Sequence, residues 1–330
     1  MTIHTAPAFT FTRSVVAVAL ATTLWAGVGT ASAQTPPPPT LAKAQAGYVR
    51  MMLGDVEVTA LSDGTVALGA NILTGTTPKH VDELLKQAHQ TGPLHTSVNA
   101  FLIRTGDKLV LVDAGAGSFF GPSLNKLQAS MKAAGYTPDQ VTDILITHLH
   151  ADHVGGLVNG ETIQFPNATV HADRAELDYW LDTSKADAAP KEAQGFFKMA
   201  QAALMPYVKA SKVKPFEGAT DIVPGIRTQP THGHTPGHSF YVLESKGQKM
   251  VFWGDLMHFE EVQFPEPAIT VAFDVDSKAA KAQRLVAFAD AAKQGYLVAP
   301  AHVTFPGIGH LRKQGAGYVW LPVRYVNDAN

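Results

Sequence analysis

His148-x-His150-x-Asp152-His153 gathers three imidazoles and a carboxylate within six residues. Where the backbone is extended, residues two apart point to the same side, so His148 and His150 can grip one ion. Asp152 and His153 turn the other way and can begin a second site. Two divalent ions held close together lower the pKa of a bridging water toward neutrality. The hydroxide so formed attacks an electrophilic carbonyl or phosphoryl centre. Fourteen histidines are present and no cysteine, which excludes disulfides, thiol nucleophiles and Cys-ligated zinc. No G-x-S-x-G elbow points to a serine hydrolase.

The elements that must position this cluster read as alternating strands and helices. Asp143 to Thr147 is a short buried strand, and the cluster begins at its end, where catalytic groups gather. Val56, Val58 and Ala60 alternate with polar residues in a strand closed by a turn at Ser62-Asp63-Gly64. Residues 72–93 read as a loop and a short helix from Val81 to Ala88. Two strands follow, Ser97 to Ile103 and Lys108 to Val112, joined at Thr105-Gly106-Asp107. Leu124, Leu127 and Met131 give 123–134 a helical period. In the second half, strands are expected at 168–171, 226–229, 240–244, 250–253 and 296–300. Helices are expected at 174–181 and 278–293. Residues 183–215 form a mostly helical stretch that can cover a site. The alternation implies layered α/β architecture with mixed sheets.

The chain has 330 residues, 26 Lys+Arg against 28 Asp+Glu, and 45% hydrophobic residues. That composition builds a substantial core and excludes wholesale disorder. It carries no basic surplus for a nucleic-acid partner. Arg13, an apolar run from Ser14 to Val28 and Ala31-Ser32-Ala33 read as an export signal over residues 1–33. Cleavage there leaves 25 basic against 28 acidic residues, a net of −3. The mature chain would be periplasmic or secreted, without a membrane partner. A disordered Pro-rich leader is expected over 34–47, and one compact domain over 48–330.

The His148–His153 cluster resembles the signature of the metallo-β-lactamase superfamily. Val112-Asp113-Ala114-Gly115, Gly233-His234-Thr235-Pro236-Gly237-His238, Phe252-Trp253-Gly254-Asp255 and Pro300-Ala301-His302 resemble its other motifs, in the right order. The resemblance implies an αββα sandwich of two mixed β-sheets flanked by helices, with two metals at one edge. His148, His150 and His234 would hold one metal, and Asp152, His153 and His302 the other. Asp255 would bridge both and act as the catalytic carboxylate. Asp113 and His238 would support these ligands from behind. His95, His171, His232 and His310 are read as structural. Ligation by N and O donors alone suits Zn2+ and leaves Mn2+ or Co2+ open.

A bridging Asp255 argues against antibiotic hydrolysis, and the absence of a flavin domain against the flavin-linked diiron oxidoreductases. The family's nucleases conflict with the charge and the export signal. Stretches such as Phe165-Pro166-Asn167-Ala168 and Phe305-Pro306-Gly307-Ile308-Gly309-His310 resemble the methyl parathion hydrolase and lactonase group. That resemblance implies a homodimer with aromatic pocket walls, here Phe120, Trp180 and Phe196. The organophosphate-degrading members carry an Arg where this chain reads Asn71-Ile72-Leu73. They carry smaller aliphatics where it has His258 and Phe273. The expected substrate is a flat aryl lactone or aryl ester of the dihydrocoumarin kind, with side activity on organophosphate triesters. A phosphotriesterase is the alternative, and a metal-binding protein without turnover is the reading from a different class.

Overall fold

Alternation along the strands decides the layering. In Lys108–Val112, Val110 and Val112 point into one apolar core and Leu109 and Leu111 into another. In Ser239–Ser245, Tyr241 and Leu243 join the first of these cores, while Phe240 and Val242 face a third. Strands with both faces apolar must be covered on both sides. The computed structural model describes residues 45–326. The expected export signal, and all but the last three residues of the expected leader, lie outside them.

The first sheet takes its strands in chain order: β1 (Tyr48–Leu53), β2 (Val56–Leu68), β3 (Leu94–Thr105), β4 (Lys108–Val112), β5 (Asp143–Leu145), β6 (Thr169–Asp173) and β7 (Val213–Phe216). The first four form an antiparallel meander, and the pairs from β4 to β7 are parallel. The second sheet is also in chain order: β8 (Asp221–Val223), β9 (Ile226–Pro230), β10 (Ser239–Ser245), β11 (Gln248–Gly254), β12 (Leu297–Pro300), β13 (Gly309–Gln314) and β14 (Gly317–Pro322). Only its β11–β12 pair is parallel. Between the sheets, Val58, Phe101 and Val112 pack with Tyr241, Met250 and Phe252.

Helices cover the outer faces. Beyond α1 (Pro78–Gln87), α2 (Leu127–Ala133), the short α3 (Ala151–Val154), α4 (Arg174–Trp180), α5 (Thr183–Ala188) and α6 (Lys191–Lys209) fall between strands of the first sheet. Met131 of α2 and Phe197, Leu204 and Tyr207 of α6 bury against the first sheet. After the short α7 (Glu260–Gln263), α8 (Ser277–Gln294) covers the second sheet with Ala287, Phe288 and Ala291. The result is the expected αββα sandwich of two mixed sheets. Residues 183–215 hold α5, α6 and the start of β7, packed in the outer helical layer with Phe196 of α6 at the cavity border.

Three local expectations change. Ser62-Asp63-Gly64 is not a turn. β2 continues to Leu68 through a β-bulge between Ser62 and Gly64. Bulges and turns draw on the same small and polar residues. Gly64 has φ +123°, and a Cβ there would stand 2.1 Å from the Ser123 carbonyl oxygen. The bulge turns Asp63 inward, where its carboxylate accepts N–H bonds from Ala116 (2.9 Å), Asn125 (3.2 Å), Lys126 (2.9 Å) and Leu127 (2.9 Å). This explains the second change. The 123–134 helix starts only at Leu127, because its free N–H groups are capped by Asp63 from another strand. The third is the β13–β14 hairpin, which extends the second sheet past the strand expected at 296–300.

Replacing Asp63 with Ala leaves the buried N–H groups of Ala116 and Leu127 unpaired. The expected loss of stability is on the order of 2–5 kcal/mol by urea unfolding. A loss below about 1 kcal/mol would contradict this account of the bulge.

Candidate metal centre

The site forms where strands of both sheets end. The chain leaving β5 delivers His148, the β9–β10 loop delivers His234, the end of β11 delivers Asp255, and the chain after β12 delivers His302. Two backbone positions make these exits tight. Asp113, just past β4, has φ +58°. Gly254 has φ +50°, and a Cβ on it would meet the Thr147 side chain at 2.7 Å and His238 Nε2 at 2.9 Å. Only glycine turns the chain there at so little steric cost.

Asp255, 3% exposed, lies between two groups of side chains. Its Oδ2 is 3.0 Å from His258 Nε2, 3.3 Å from His234 Nε2 and 3.5 Å from His148 Nε2. His150 Nδ1 is 3.0 Å from His234 Nε2. Oδ1 is 3.0 Å from both His153 Nε2 and His302 Nε2. Asp152 Oδ2 completes that side, 3.4 Å from His302 Nε2 and 3.8 Å from His153 Nε2. His148, His150, His234 and Asp255 form one set with ligand atoms within 4.8 Å of each other, and Asp152, His153 and His302 form another.

The far ring nitrogens show what the near ones can do. His302 Nδ1 lies 2.8 Å from the Ser97 carbonyl oxygen, which can only accept. His302 Nδ1 must therefore carry a proton, which leaves Nε2 as the atom that faces Asp255 and can ligate a cation. His153 Nδ1 lies 2.8 Å from Asp113 Oδ2, with the same consequence. His234 Nδ1 is held 2.8 Å from Asp274 Oδ1. His148 Nε2, His153 Nε2 and Asp255 Oδ1 are buried and have no hydrogen-bond partner. Native folds rarely leave such atoms unsatisfied. Nitrogen and oxygen atoms converging at these distances need positive charge among them, and the residues present fit two divalent cations.

Burial sets the protonation states around this core. It pushes the His148 and His150 imidazoles well below their usual range, and neighbouring imidazoles push in the same direction. Neutral imidazole is the form that ligates. Burial alone would raise the Asp255 pKa. His153, His302, His148 and His258 outweigh it and hold the carboxyl well below the usual carboxylate range. His238 is pushed down to about 3 by burial and by His234. Its Nε2 accepts the Asp255 N–H at 3.1 Å and its Nδ1 meets Thr231 Oγ1 at 2.9 Å, so it stands behind the cluster. Asp113 stands behind it on the other side, accepting from Thr147 N and Thr147 Oγ1 at 2.9 Å each.

A cavity of about 190 Å³ opens onto these groups. His150, Asp152, Asp255, His258 and His302 border its polar side, and Val66, Leu68, Phe120, Leu124, Phe196 and Phe273 its apolar side. Two expected wall residues do not border it. Trp180 is buried behind His150, ring edge to ring at 5.4 Å, and its Nε1 donates to Glu176 Oε1 at 2.7 Å. Leu73 pairs with Val271 in a two-residue ladder and packs with Val81 and Leu84. His258 does more than form a wall, since its ring also stacks on His302 with centroids 5.1 Å apart. Three carboxylates escaped the sequence reading: Asp63, Glu176 and Asp274. Each is a lone acid outside any motif, and its partners are set only by the fold.

The metallo-β-lactamase superfamily profile matches residues 95–302. The chain belongs to that superfamily. The crystal structure of AbOPH, a hydrolase of the β-lactamase superfamily, superposes on this superfamily member with a TM-score of 0.83 at 39% identity, covering 86% of this chain and 100% of that one. AidC, a dizinc quorum-quenching lactonase in complex with the product N-hexanoyl-L-homoserine, superposes with a TM-score of 0.80 at 26% identity, covering 85% and 99%. An N-acyl homoserine lactonase of Bacillus sp. is 28% identical over 172 residues, 46% of this chain and 60% of the Bacillus enzyme. With the site geometry, these matches make the chain a metal-dependent hydrolase.

Asp113→Ala removes the acceptor that holds His153 Nδ1. Metal affinity is expected to fall on the order of 10–100-fold, read by competition with a chromophoric chelator. Unchanged affinity would contradict the support role given to Asp113.

Proposed function

We propose that this metal-dependent hydrolase opens small aryl lactones and cleaves aryl esters, as a member of the lactonase and methyl parathion hydrolase group. The observation that carries the reading is the cavity: three phenylalanines and three aliphatic side chains facing a wall of metal-ligating residues. An aromatic ring can lie among Phe120, Phe196 and Phe273 while its ester carbonyl points at Asp255. His148, His150 and His234 would hold one ion, Asp152, His153 and His302 the other, and Asp255 would bridge them. Zinc suits these donors, with manganese and cobalt as substitutes. Two bound divalent cations supply a water activated at neutral pH and polarise the oxygen under attack.

The chain's own groups do the rest. The apolar wall excludes bulk water and orients the ring. Asp255, kept ionised by its imidazole neighbours, lies at the cavity floor, where its carboxylate can orient the attacking water by accepting its hydrogen bond. His258 and Phe273 narrow the space beside it. That disfavours a branched phosphotriester, which is expected to react as a slower side substrate. A second reading, an N-acyl homoserine lactone, draws support from the AidC and Bacillus relatives and from Phe120. That side chain is 40% exposed at the cavity border, where an acyl tail can leave.

The test compares kcat/KM for dihydrocoumarin, an N-hexanoyl homoserine lactone and a dimethyl aryl phosphotriester on one zinc-loaded preparation. Dihydrocoumarin is expected to lead each of the others by at least about tenfold, and chelation is expected to abolish all three activities. A leading phosphotriester would overturn the aryl-lactone reading, and a leading homoserine lactone would move the assignment to the second reading.

A further inference from the structure

Glu176, on α4, is buried at 1% exposure and lies in no metal-binding motif. Its carboxylate reaches three separate parts of the site. Oε1 accepts the Leu149 N–H at 2.8 Å, between His148 and His150. Oε2 accepts the Gly237 N–H at 2.7 Å, in the loop that carries His234. Oε1 also accepts from Trp180 Nε1 at 2.7 Å, and the Trp180 ring stands edge-on to His150. The approach is close: a Cβ on Gly237 would lie 2.3 Å from the Glu176 backbone nitrogen. Among the described residues, these Glu176 bonds do not reach Asp152, His153 or His302. That second group has its own anchors, Asp113 behind His153 and the Ser97 carbonyl behind His302.

We propose that Glu176 is a positioning residue that fixes one half of the metal centre, the group formed by His148, His150 and His234. The other half is held by Asp113 behind His153 and the Ser97 carbonyl behind His302, although Asp113 also accepts from Thr147 beside His148. The reason is geometric. His148 and His150 come from the end of a first-sheet strand, and His234 comes from a second-sheet loop. One backbone bond near the site, Ser239 N–H to the Thr147 carbonyl at 3.0 Å, ties the end of that loop to the chain before His148, and Glu176 adds a tie nearer His150 and His234. A single carboxylate accepting one backbone N–H from each sets their separation, and charge-assisted bonds of this kind are the stronger class. Burial raises the Glu176 pKa and the donors around it oppose that shift, so the cost of burying the group is offset by these bonds. Supporting bonds of this kind tune metal affinity without touching the ion.

The proposal rests on the two-ion reading, and the test separates the two. The chelator-stripped full chain is titrated with Co2+, following uptake and the visible absorption of the bound ion. The unaltered chain is expected to take up two equivalents. Glu176→Gln replaces one accepting oxygen with a donor that opposes a backbone N–H. It is expected to bind one equivalent normally and the other on the order of 10–100-fold more weakly, with loss of that ion's absorption bands. Asp113→Asn, at a carboxylate that reaches both His153 and the Thr147 beside His148, is expected to weaken both equivalents. Glu176→Asp, too short to span both loops, should show the same selective loss and serves if Glu176→Gln does not fold. A folded Glu176 variant that binds both ions normally, or loses both equally, overturns the assignment while the two-ion reading stands. An unaltered chain that takes up fewer than two ions overturns that reading and the proposal with it.

Discussion

A carboxylate with five imidazole nitrogens within 3.5 Å of its oxygens cannot sit in a dry protein interior unless positive charge is placed among them. Asp255 is in that position, and much of the structure near it follows from the requirement. Its two oxygens divide the neighbours into two groups. The far nitrogens of His153, His234 and His302 are committed to Asp113, Asp274 and the Ser97 carbonyl. The near nitrogens of His153 and His302 thereby face inward, 3.0 Å from Asp255 Oδ1. Each buried nitrogen would be destabilising alone, and together they make a strong cation trap.

The sandwich supplies what this trap demands. Four chain segments bring the imidazoles to one carboxylate, and they do so because both sheets end their strands at the same edge. The layers behind are fixed by period-two alternation and by three apolar cores. The apolar cavity wall comes from other places: the outer half of β2, the loop bearing Phe120 and Leu124, α6, and the loop bearing Phe273. Chemistry and substrate choice therefore rest on different parts of the chain, so the walls can change while the ligands stay.

Legibility in the sequence tracked how local each feature is. The His148–His153 cluster is readable because its ligands lie within six residues and follow a buried strand. The succession of strands and helices along the chain likewise points to layers, because each element's signal is local. Asp63 was read as part of a turn, since a bulge and a turn use the same residue types, and only the fold brings the N–H groups of Ala116 and Leu127 to it. Glu176 and Asp274 are ordinary single acids until distant backbone and imidazole groups meet them. The resemblance to the methyl parathion hydrolase group puts Trp180 on the cavity wall, yet an aromatic near a site can face either way. Its hydrogen bond to Glu176 turns it behind His150 instead. The β13–β14 hairpin bears one strongly polar face, and its partner strand β12 precedes it by a loop that carries no periodic signal.

The most direct measurement is the anomalous scattering of crystals grown with zinc, recorded on both sides of the zinc absorption edge. The account predicts two zinc peaks flanking the Asp255 carboxylate, one among His148, His150 and His234 and the other among Asp152, His153 and His302. A single peak, or two peaks without Asp255 between them, would contradict it.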